Sequence, residues 1–269
     1  MPKLFCASDL HSFYTPMKKA LDEAGFDPNN EDHWLIVCGD AFDRGPDSCK
    51  MYDFLMKLEH KVLVKGNHDI LMQDMLARGY IGSHDRHNGT EKTFWQLLNK
   101  EAIPATKDPY RAVSEILQPF WAQQVNYFET KNYIFVHSWI PCYLQEKPNP
   151  ADKWIPLTTN EWRDDWRTCD DFEWEEAMWG NPFKKWQEGL NKTGKIIVFG
   201  HWHCSTGHAM LHEVKVSENE TVGTISEFED DAIWEPFIHD NIIGIDRCTA
   251  YTGEVNVLVL EDDFIESQS

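Results

Sequence analysis

Seven short apolar runs, each bounded by polar turns, set the rhythm of the chain: Leu4 to Ala7, Trp34 to Cys38, Val62 to Val64, Tyr133 to Val136, Ile196 to Phe199, Ile242 to Ile245 and Val255 to Leu260. Runs this short, without a helical period, predict strands that are mostly buried. Between the first three lie helical stretches. Thr15 and Pro16 supply a cap and a first-turn proline for a helix to about Glu23, and Asp47 caps another running to about Glu59. This alternation predicts an α/β fold. Beyond Leu211 the helical pattern gives way to short strands and polar turns, which predicts a second, largely antiparallel sheet packed on the first. A chain of 269 residues can bury one large core, so a single domain over 1–269 is expected.

The stretch from Trp139 to Gly194 breaks the pattern. It carries seven of the twelve tryptophans (Trp139, Trp154, Trp162, Trp166, Trp174, Trp179 and Trp186) and the acid run "CDDFEWEEAMW". It reads as an insertion at about 139–194 that packs its indoles on the main body, because aromatic side chains dominate the burial energy of such segments. A lid or substrate platform is the sharper reading of the same residues.

Charge narrows the function. With 45 acidic and 25 basic residues and a formal net charge of -20, the chain lacks the basic stripe that a phosphate backbone requires, so duplex nucleic acid is not an expected partner. The opening "MPKLFCASDL" has no charged segment followed by an apolar core, and no apolar run reaches the ~18 residues of a membrane span, which points to a soluble, cytoplasmic protein with no membrane partner. The seven cysteines form no C-x-x-C pair and are expected as interior free thiols. Nothing in the charge pattern bears on oligomeric state.

Candidate chemistry sits at the strand ends. "SDLHS" with Asp9 and His11 follows the first run, "GDAFDRG" with Asp40, Asp43 and Arg44 the second, and "KGNHD" with Asn67, His68 and Asp69 the third. His137 follows "YIFV", and His201 and His203 follow "KIIVFG" in "GHWH". An open α/β sheet places its ligand crevice outside the carboxyl ends of its strands. Each cluster alone is most simply a hydrogen-bonded structural histidine or a solvated ion pair. Together, two aspartates, an asparagine oxygen and four histidines form a mixed oxygen and nitrogen donor set suited to Mn, Fe or Zn rather than calcium. The set is too large for one four-coordinate ion and fits two ions about 3.5–4 Å apart.

In order and spacing, "SDLHS", "GDAFDRG", "KGNHD", His137 and "GHWH" resemble the five blocks of the calcineurin-like metallophosphoesterases, and the GDxxDRG block looks like the phosphoprotein phosphatase branch, especially its bacterial and phage-lambda-like members. "HNGTEKT" (87 to 93) and "IGIDRCTAYTGEVNVLVLE" are similar to further segments of that family. The resemblance implies a four-layer α/β/β/α sandwich with two central β-sheets. It also implies two divalent ions, manganese first with iron or zinc as alternatives. Asp9, His11 and Asp40 would hold one ion, and Asp40, Asn67, His137 and His201 the other, with Asp40 as the bridge. A water or hydroxide between the ions would attack phosphorus, since metal binding acidifies it. His68 would protonate the leaving alkoxide, Asp43 would orient its ring, and Arg44 would hold two phosphate oxygens. Two divalent cations would also invert the local field in an otherwise acidic protein.

Three departures qualify the carry-over. His203 stands where the eukaryotic phosphatases have no histidine, whereas the wider superfamily uses it as a first-site ligand, so His203 joins the expected ligands. The branch's additional phosphate-binding arginine has no clear counterpart: "MWGNP" offers Asn181, and Arg163 and Arg167 in "EWRDDWR" read more simply as surface ion pairs. Arg247 replaces a small residue in "IDRCTAYTG". The expected activity is hydrolysis of phosphate monoesters by a serine/threonine protein phosphatase-like enzyme. A dinucleoside tetraphosphatase or other nucleotide or phosphodiester hydrolase is the alternative. A metal-binding interaction protein without catalysis is the third reading. The substrate is thus a phosphopeptide or a nucleotide.

Overall fold

Alternation along the first strand sets the layering. Leu4 and Cys6 point one way and Phe5 and Ala7 the other, all four buried, so both faces of this strand are covered. In the computed structural model, which describes residues 1–100, 108–147, 157–217, 220–223 and 225–265, the same division runs through two five-stranded sheets. One contains β1 (Lys3–Ala7), β2 (His33–Cys38), β3 (Lys61–Val64), β4 (Gln124–Val125) and β14 (Leu258–Glu261), in the order β14-β1-β2-β3-β4. The other contains β5 (Phe128–Glu129), β6 (Tyr133–Phe135), β9 (Ile196–Phe199), β12 (Phe237–His239) and β13 (Ile242–Gly244), in the order β12-β13-β9-β6-β5. Two hairpins complete the set, β7 (Tyr143–Lys147) with β8 (Leu157–Glu161), and β10 (Glu213–Ser217) with β11 (Glu220–Gly223).

Three apolar layers follow. Leu4, Ile36 and Val64 meet Phe135, Val198 and Ile243 between the sheets. Phe5, Leu35 and Leu63 face outward onto helices that include Tyr14–Glu23, Ser48–Lys57 and Pro109–Trp121. Ile134, Ile197 and Phe199 face outward on the other side, where Trp139, Trp166, Trp174 and Phe183 cover them. Helices, sheet, sheet, and a tryptophan-rich outer layer give the expected four-layer sandwich.

The expectation for the second sheet requires correction. Residues after Leu211 supply only two of its five strands, β12 and β13, and its centre is not antiparallel: β6, β9 and β13 run parallel, with β5 and β12 antiparallel at the edges. The last strand joins the first sheet, antiparallel to β1. A helix over Cys204–Leu211 supplies the crossover from β9 toward β13 that parallel pairing demands. Helix starts differ slightly as well. The first helix begins at Tyr14 with Phe13 at its cap, and Asp47 occupies the cap of the second without a side-chain cap bond, engaging Lys50 instead.

The tryptophan-rich stretch packs its indoles on the main body, as expected. Trp139, Trp166 and Trp174 are among the most buried side chains, Trp162 and Trp186 pack against them, and Trp179 is half-exposed. Trp154 lies outside the described residues. The cysteines whose environment is described are free thiols. Among the described residues no helix is long and apolar enough to cross a membrane.

Candidate functional site

Six loops at the carboxyl ends of parallel strands converge. Asp9 and His11 follow β1, Asp40, Asp43 and Arg44 follow β2, Asn67 and His68 open the helix Asn67–Arg78 after β3, His137 follows β6, and His201 and His203 follow β9. Asp246 arrives from β13. Most of these residues line one cleft of about 190 Å³. His137 is fully buried behind it.

The backbone is bent to achieve this. Among the described residues, nine residues other than glycine adopt positive φ, and eight of them belong to these loops: Asp9, His11, Ser12, Asp40, Asp43, Arg44, His201 and Cys248. Such conformations cost on the order of 1–3 kcal/mol each and cluster at functional sites. Two glycines admit the close approach. A Cβ on Gly39 (φ +84) would lie 2.2 Å from His137 Nδ1, and one on Gly200 2.2 Å from Asp9 Oδ2. The carboxylate of Asp69 accepts Gly66 N–H at 2.9 Å and the Gln124 amide at 2.8 Å, which pins the turn presenting Asn67 and His68.

The donor atoms fit cations better than they fit one another. Asp40 Oδ2 lies 4.0, 3.9 and 3.5 Å from the Nε2 atoms of His11, His68 and His137. Asp40 is common to two compact donor groups, one with His11 and His68 and one with His137 and His201, whose ligand atoms lie within 4.8 Å of one another. Asp9 Oδ1 lies 4.0 Å from His11 Nε2, while its Oδ2 accepts His201 N–H at 2.8 Å. The backbone carbonyls of Phe42 and Cys38 occupy Nδ1 of His11 and His137 at 2.9 and 3.0 Å, which aims each Nε2 inward. In a neutral His137 ring, Nε2 and Asn67 Oδ1 would be two acceptors only 2.8 Å apart, a contact that a cation reconciles.

Protonation preferences agree. Burial holds His11 well below the usual imidazole range and brings His201 down to about 3, so both rings favour the neutral form that binds metal. Burial pushes Asp9 up to about 6, with repulsion from Asp40 adding to it. Burial and then repulsion from Asp9 raise Asp246 as well. For Asp40, burial acts upward, but the surrounding histidines, His137 first, outweigh it and keep this carboxyl ionised.

Beside this donor set lies a second arrangement. His68 Nδ1–H donates to Asp43 Oδ2 at 2.8 Å, and the buried hydroxyl of Thr90 donates to the same oxygen at 2.7 Å. Arg44 Nη2 approaches His68 Nε2 at 3.3 Å, a donor meeting the unprotonated ring nitrogen. Burial disfavours the charged His68 ring, yet Asp40 and Asp43 outweigh it and the net shift is upward.

Every expected site residue therefore lies at the cleft or directly behind it. Asp9 and His203 line it too but belong to neither compact group, the first of which holds His68 in place of Asp9; His203 Nδ1 faces Glu227 at 3.4 Å and its ring packs on Phe228 and Trp234. Arg163 binds Asp165 and Glu173, and Arg167 binds Glu129. Arg247 pairs with Glu254 and Asn256, and Asn181 caps the helix Pro182–Gln187. None of these four lines the cleft. Asp246 and Trp179 are among the site residues that escaped sequence reasoning. Asp246 had a visible signal, an acid one step beyond an apolar run, as at the other strand ends. Trp179, edge-on to His201 with ring centres 6.2 Å apart, lines both the cleft and a neighbouring groove of about 700 Å³, and composition alone did not separate it from the six other indoles of its segment.

Comparison with known proteins places this geometry. A sequence profile described as calcineurin-like phosphoesterase matches residues 2–205. The symmetrical bis(5'-nucleosyl)-tetraphosphatase of Pseudomonas fluorescens is 37% identical over 200 residues, 74% of this chain and 62% of its own length. The enzyme of the same name from Aeromonas hydrophila is 43% identical over 63 residues, 23% of this chain and 22% of its own length. The chain thus spans less than two thirds of the length of these curated relatives. Among solved structures, the cold-active protein-tyrosine phosphatase of a psychrophilic Shewanella species shares the fold at a TM-score of 0.53 and 14% identity, over 97% of this chain and 76% of that one.

Proposed function

The chain belongs to the calcineurin-like phosphoesterase family, and from that premise we propose that it hydrolyses phosphoesters at a site for two divalent cations held by Asp9, His11, Asp40, Asn67, His137, His201 and His203. The observation that carries this reading is the placement of Asp40 in both compact donor groups. A carboxylate has two oxygens, so one residue can fix the spacing of two ions. When bound, the cations supply positive charge to the phosphoryl group and acidify a water. His203 would join the set with the ring nitrogen that Glu227 does not face.

The chain's own residues do the rest. Arg44 turns its guanidinium from His68 to two phosphate oxygens, which a planar fork matches. That movement frees His68 Nε2, and the neighbouring carboxylates favour its taking a proton. The proton passes to the leaving oxygen as its bond to phosphorus breaks, while Asp43 holds the ring at Nδ1.

For the substrate, a nucleoside polyphosphate is the reading best supported. Trp179 presents an accessible indole at the junction of cleft and groove, with Phe172 exposed further along the groove, and an aromatic face of this kind stacks on a base. The relatives named above are tetraphosphatases. A phosphoserine or phosphothreonine peptide is the second reading, favoured by the size of that groove and by the mixed Lys184, Glu175 and Glu176 on its walls.

Metal-stripped protein restored separately with manganese, iron and zinc tests both. The substrates are para-nitrophenyl phosphate, its bis-ester, a phosphothreonine peptide and diadenosine tetraphosphate. Manganese is expected to restore turnover, with the dinucleotide best. A preference for the peptide would establish the second reading, and metal binding without turnover on any ester would make the protein a non-catalytic metal binder.

A further inference from the structure

The start of the helix Thr90–Lys100 grips the loop that carries Asp43 and Arg44. Thr90 Oγ1 donates to Asp43 Oδ2, Thr93 Oγ1 accepts Asp43 N–H at 2.9 Å, and Lys92 Nζ donates to the Arg44 carbonyl at 2.9 Å. Gly89, just before the helix, has no side chain to collide with the Arg44 backbone, where a Cβ would lie 2.4 Å from the amide nitrogen. Asp43 and Arg44 both adopt left-handed φ, at 76° and 60°, and need such restraint.

One detail singles out Thr90. Asp43 is fully buried, Oδ2 receives both the His68 ring and the Thr90 hydroxyl, and among the described residues no atom bonds Oδ1. With His68 as its only side-chain partner, the carboxylate could rotate about its last torsion and carry the ring with it. The hydroxyl removes that freedom by fixing which oxygen faces Nδ1. Thr90 itself does not line the cleft. Thr90 and Thr93 are themselves fully buried, so water does not substitute for either hydroxyl.

We propose that Thr90 is a positioning residue for proton donation: through Asp43 it sets the orientation of His68 and hence delivery of the proton to the leaving oxygen. The inference rests on the phosphoesterase reading for its consequence, and on geometry alone for its cause. A positioning role has a signature that general destabilisation lacks. As the bond from phosphorus to the leaving oxygen breaks, a poor leaving group needs the proton and a good one does not. Phenyl phosphate and para-nitrophenyl phosphate differ in this respect while presenting the same phosphate to Arg44.

The experiment compares Thr90→Val with Thr90→Ser in the metal-loaded full chain. Valine keeps the shape and removes the hydroxyl, whereas serine keeps the hydroxyl. Thr90→Val is expected to lower kcat on phenyl phosphate by about 10–100-fold, the usual range when a supporting partner is lost, with a much smaller loss on para-nitrophenyl phosphate and KM nearly unchanged. Thr90→Ser should restore both. Equal losses on the two esters, or no loss on either, would overturn the proposal. A second readout needs no turnover. In the zinc-loaded protein, which is diamagnetic, the low-field proton NMR signal of the His68 to Asp43 hydrogen bond is identified by its disappearance in His68→Asn. It should shift or broaden in Thr90→Val and persist in Thr90→Ser. An unchanged signal in Thr90→Val overturns the proposal. A changed signal in a protein that cleaves neither these two esters nor diadenosine tetraphosphate or a phosphothreonine peptide supports the positioning and refutes the phosphoesterase reading alone.

Discussion

Alanine at Gly200 gives the most direct test of how the site is held. Its Cβ would lie 2.2 Å from Asp9 Oδ2 and 2.5 Å from both Cβ and Oγ of Ser8, where ordinary contact begins near 3.4 Å. The backbone cannot retreat easily, because Gly200 N–H is bonded to the His137 carbonyl at 2.8 Å and its own carbonyl accepts Trp202 N–H at 2.7 Å. The Asp9 carboxylate must therefore move by roughly 1 Å, a misplacement that costs about 100-fold where chemistry depends on position. It also loses the His201 N–H bond. Overpacking costs about 1–3 kcal/mol and a lost bond to a charged group about 1.5–3 kcal/mol. The apo protein should then melt about 5–20 °C lower. Calorimetric titration of stripped protein with manganese, alongside thermal denaturation with and without the ion, separates the two effects. Metal affinity should fall at least tenfold and the stabilisation by metal should shrink. Adding Ser8→Gly should recover part of the stability but not the affinity, since Asp9 remains displaced. Two ions bound at wild-type affinity by Gly200→Ala would refute the placement of Asp9 among the ligands.

His68→Asn should retain both metals by elemental analysis and lose about 100–10,000-fold in kcat on a substrate with a poor leaving group, as expected for a lost general acid. Full activity in that variant would remove the acid from the mechanism. Away from the site, Glu129 is buried and accepts from Arg167 at 2.7 and 2.8 Å and from Lys195 at 2.8 Å. Burial alone would raise its pKa, but Arg167 and Lys195 bring it below the ordinary value. A depressed folded pKa gives stability that is present above the unfolded pKa and is lost as pH falls through the folded one. Arg167→Ala should therefore cost about 1–2 kcal/mol at pH 7, moderated by the partial exposure of Arg167 and by the remaining Lys195. In denaturant titrations the deficit should shrink as pH falls below the ordinary carboxylate range and vanish once pH lies below the depressed folded pKa. A deficit independent of pH would show that Arg167 acts through packing on Trp166 instead.

The site was legible from sequence because its residues sit at fixed offsets from strand ends, and strand ends can be read from short apolar runs. Asp9, Asp40, Asn67, His137 and His201 each follow such a run by a few residues, so convergence of the strands brings them together without knowledge of sheet order. Asp246 obeys the same rule, one residue beyond the run Ile242 to Ile245. What sequence could not reveal depends on contacts across long separations. Thr90 meets Asp43 over 47 positions, and no periodicity records that hydroxyl's direction. The parallel centre of the second sheet arises from pairing β6 with β9 across the whole tryptophan-rich stretch, so reading elements as neighbours in sequence misplaced it. The unusual composition of that stretch marked it out in the sequence, and three of its indoles, Trp139, Trp166 and Trp174, pack with Phe183 in the outer layer on that sheet.

The eight left-handed residues around the cleft also carry a consequence for how such a chain evolves. Each is held against its own conformational preference by the scaffold, and glycine would adopt the same backbone with no steric penalty. Selection for stability and selection for chemistry therefore pull in opposite directions at the same positions. In a lineage released from catalysis, substitutions to glycine at Asp43, Arg44 or His11 would relieve strain, provided the gain exceeds the loss of their side-chain bonds. Decay of function in descendants should then begin at bends in the loops, while the sheets and the tryptophan layer remain recognisable long afterwards.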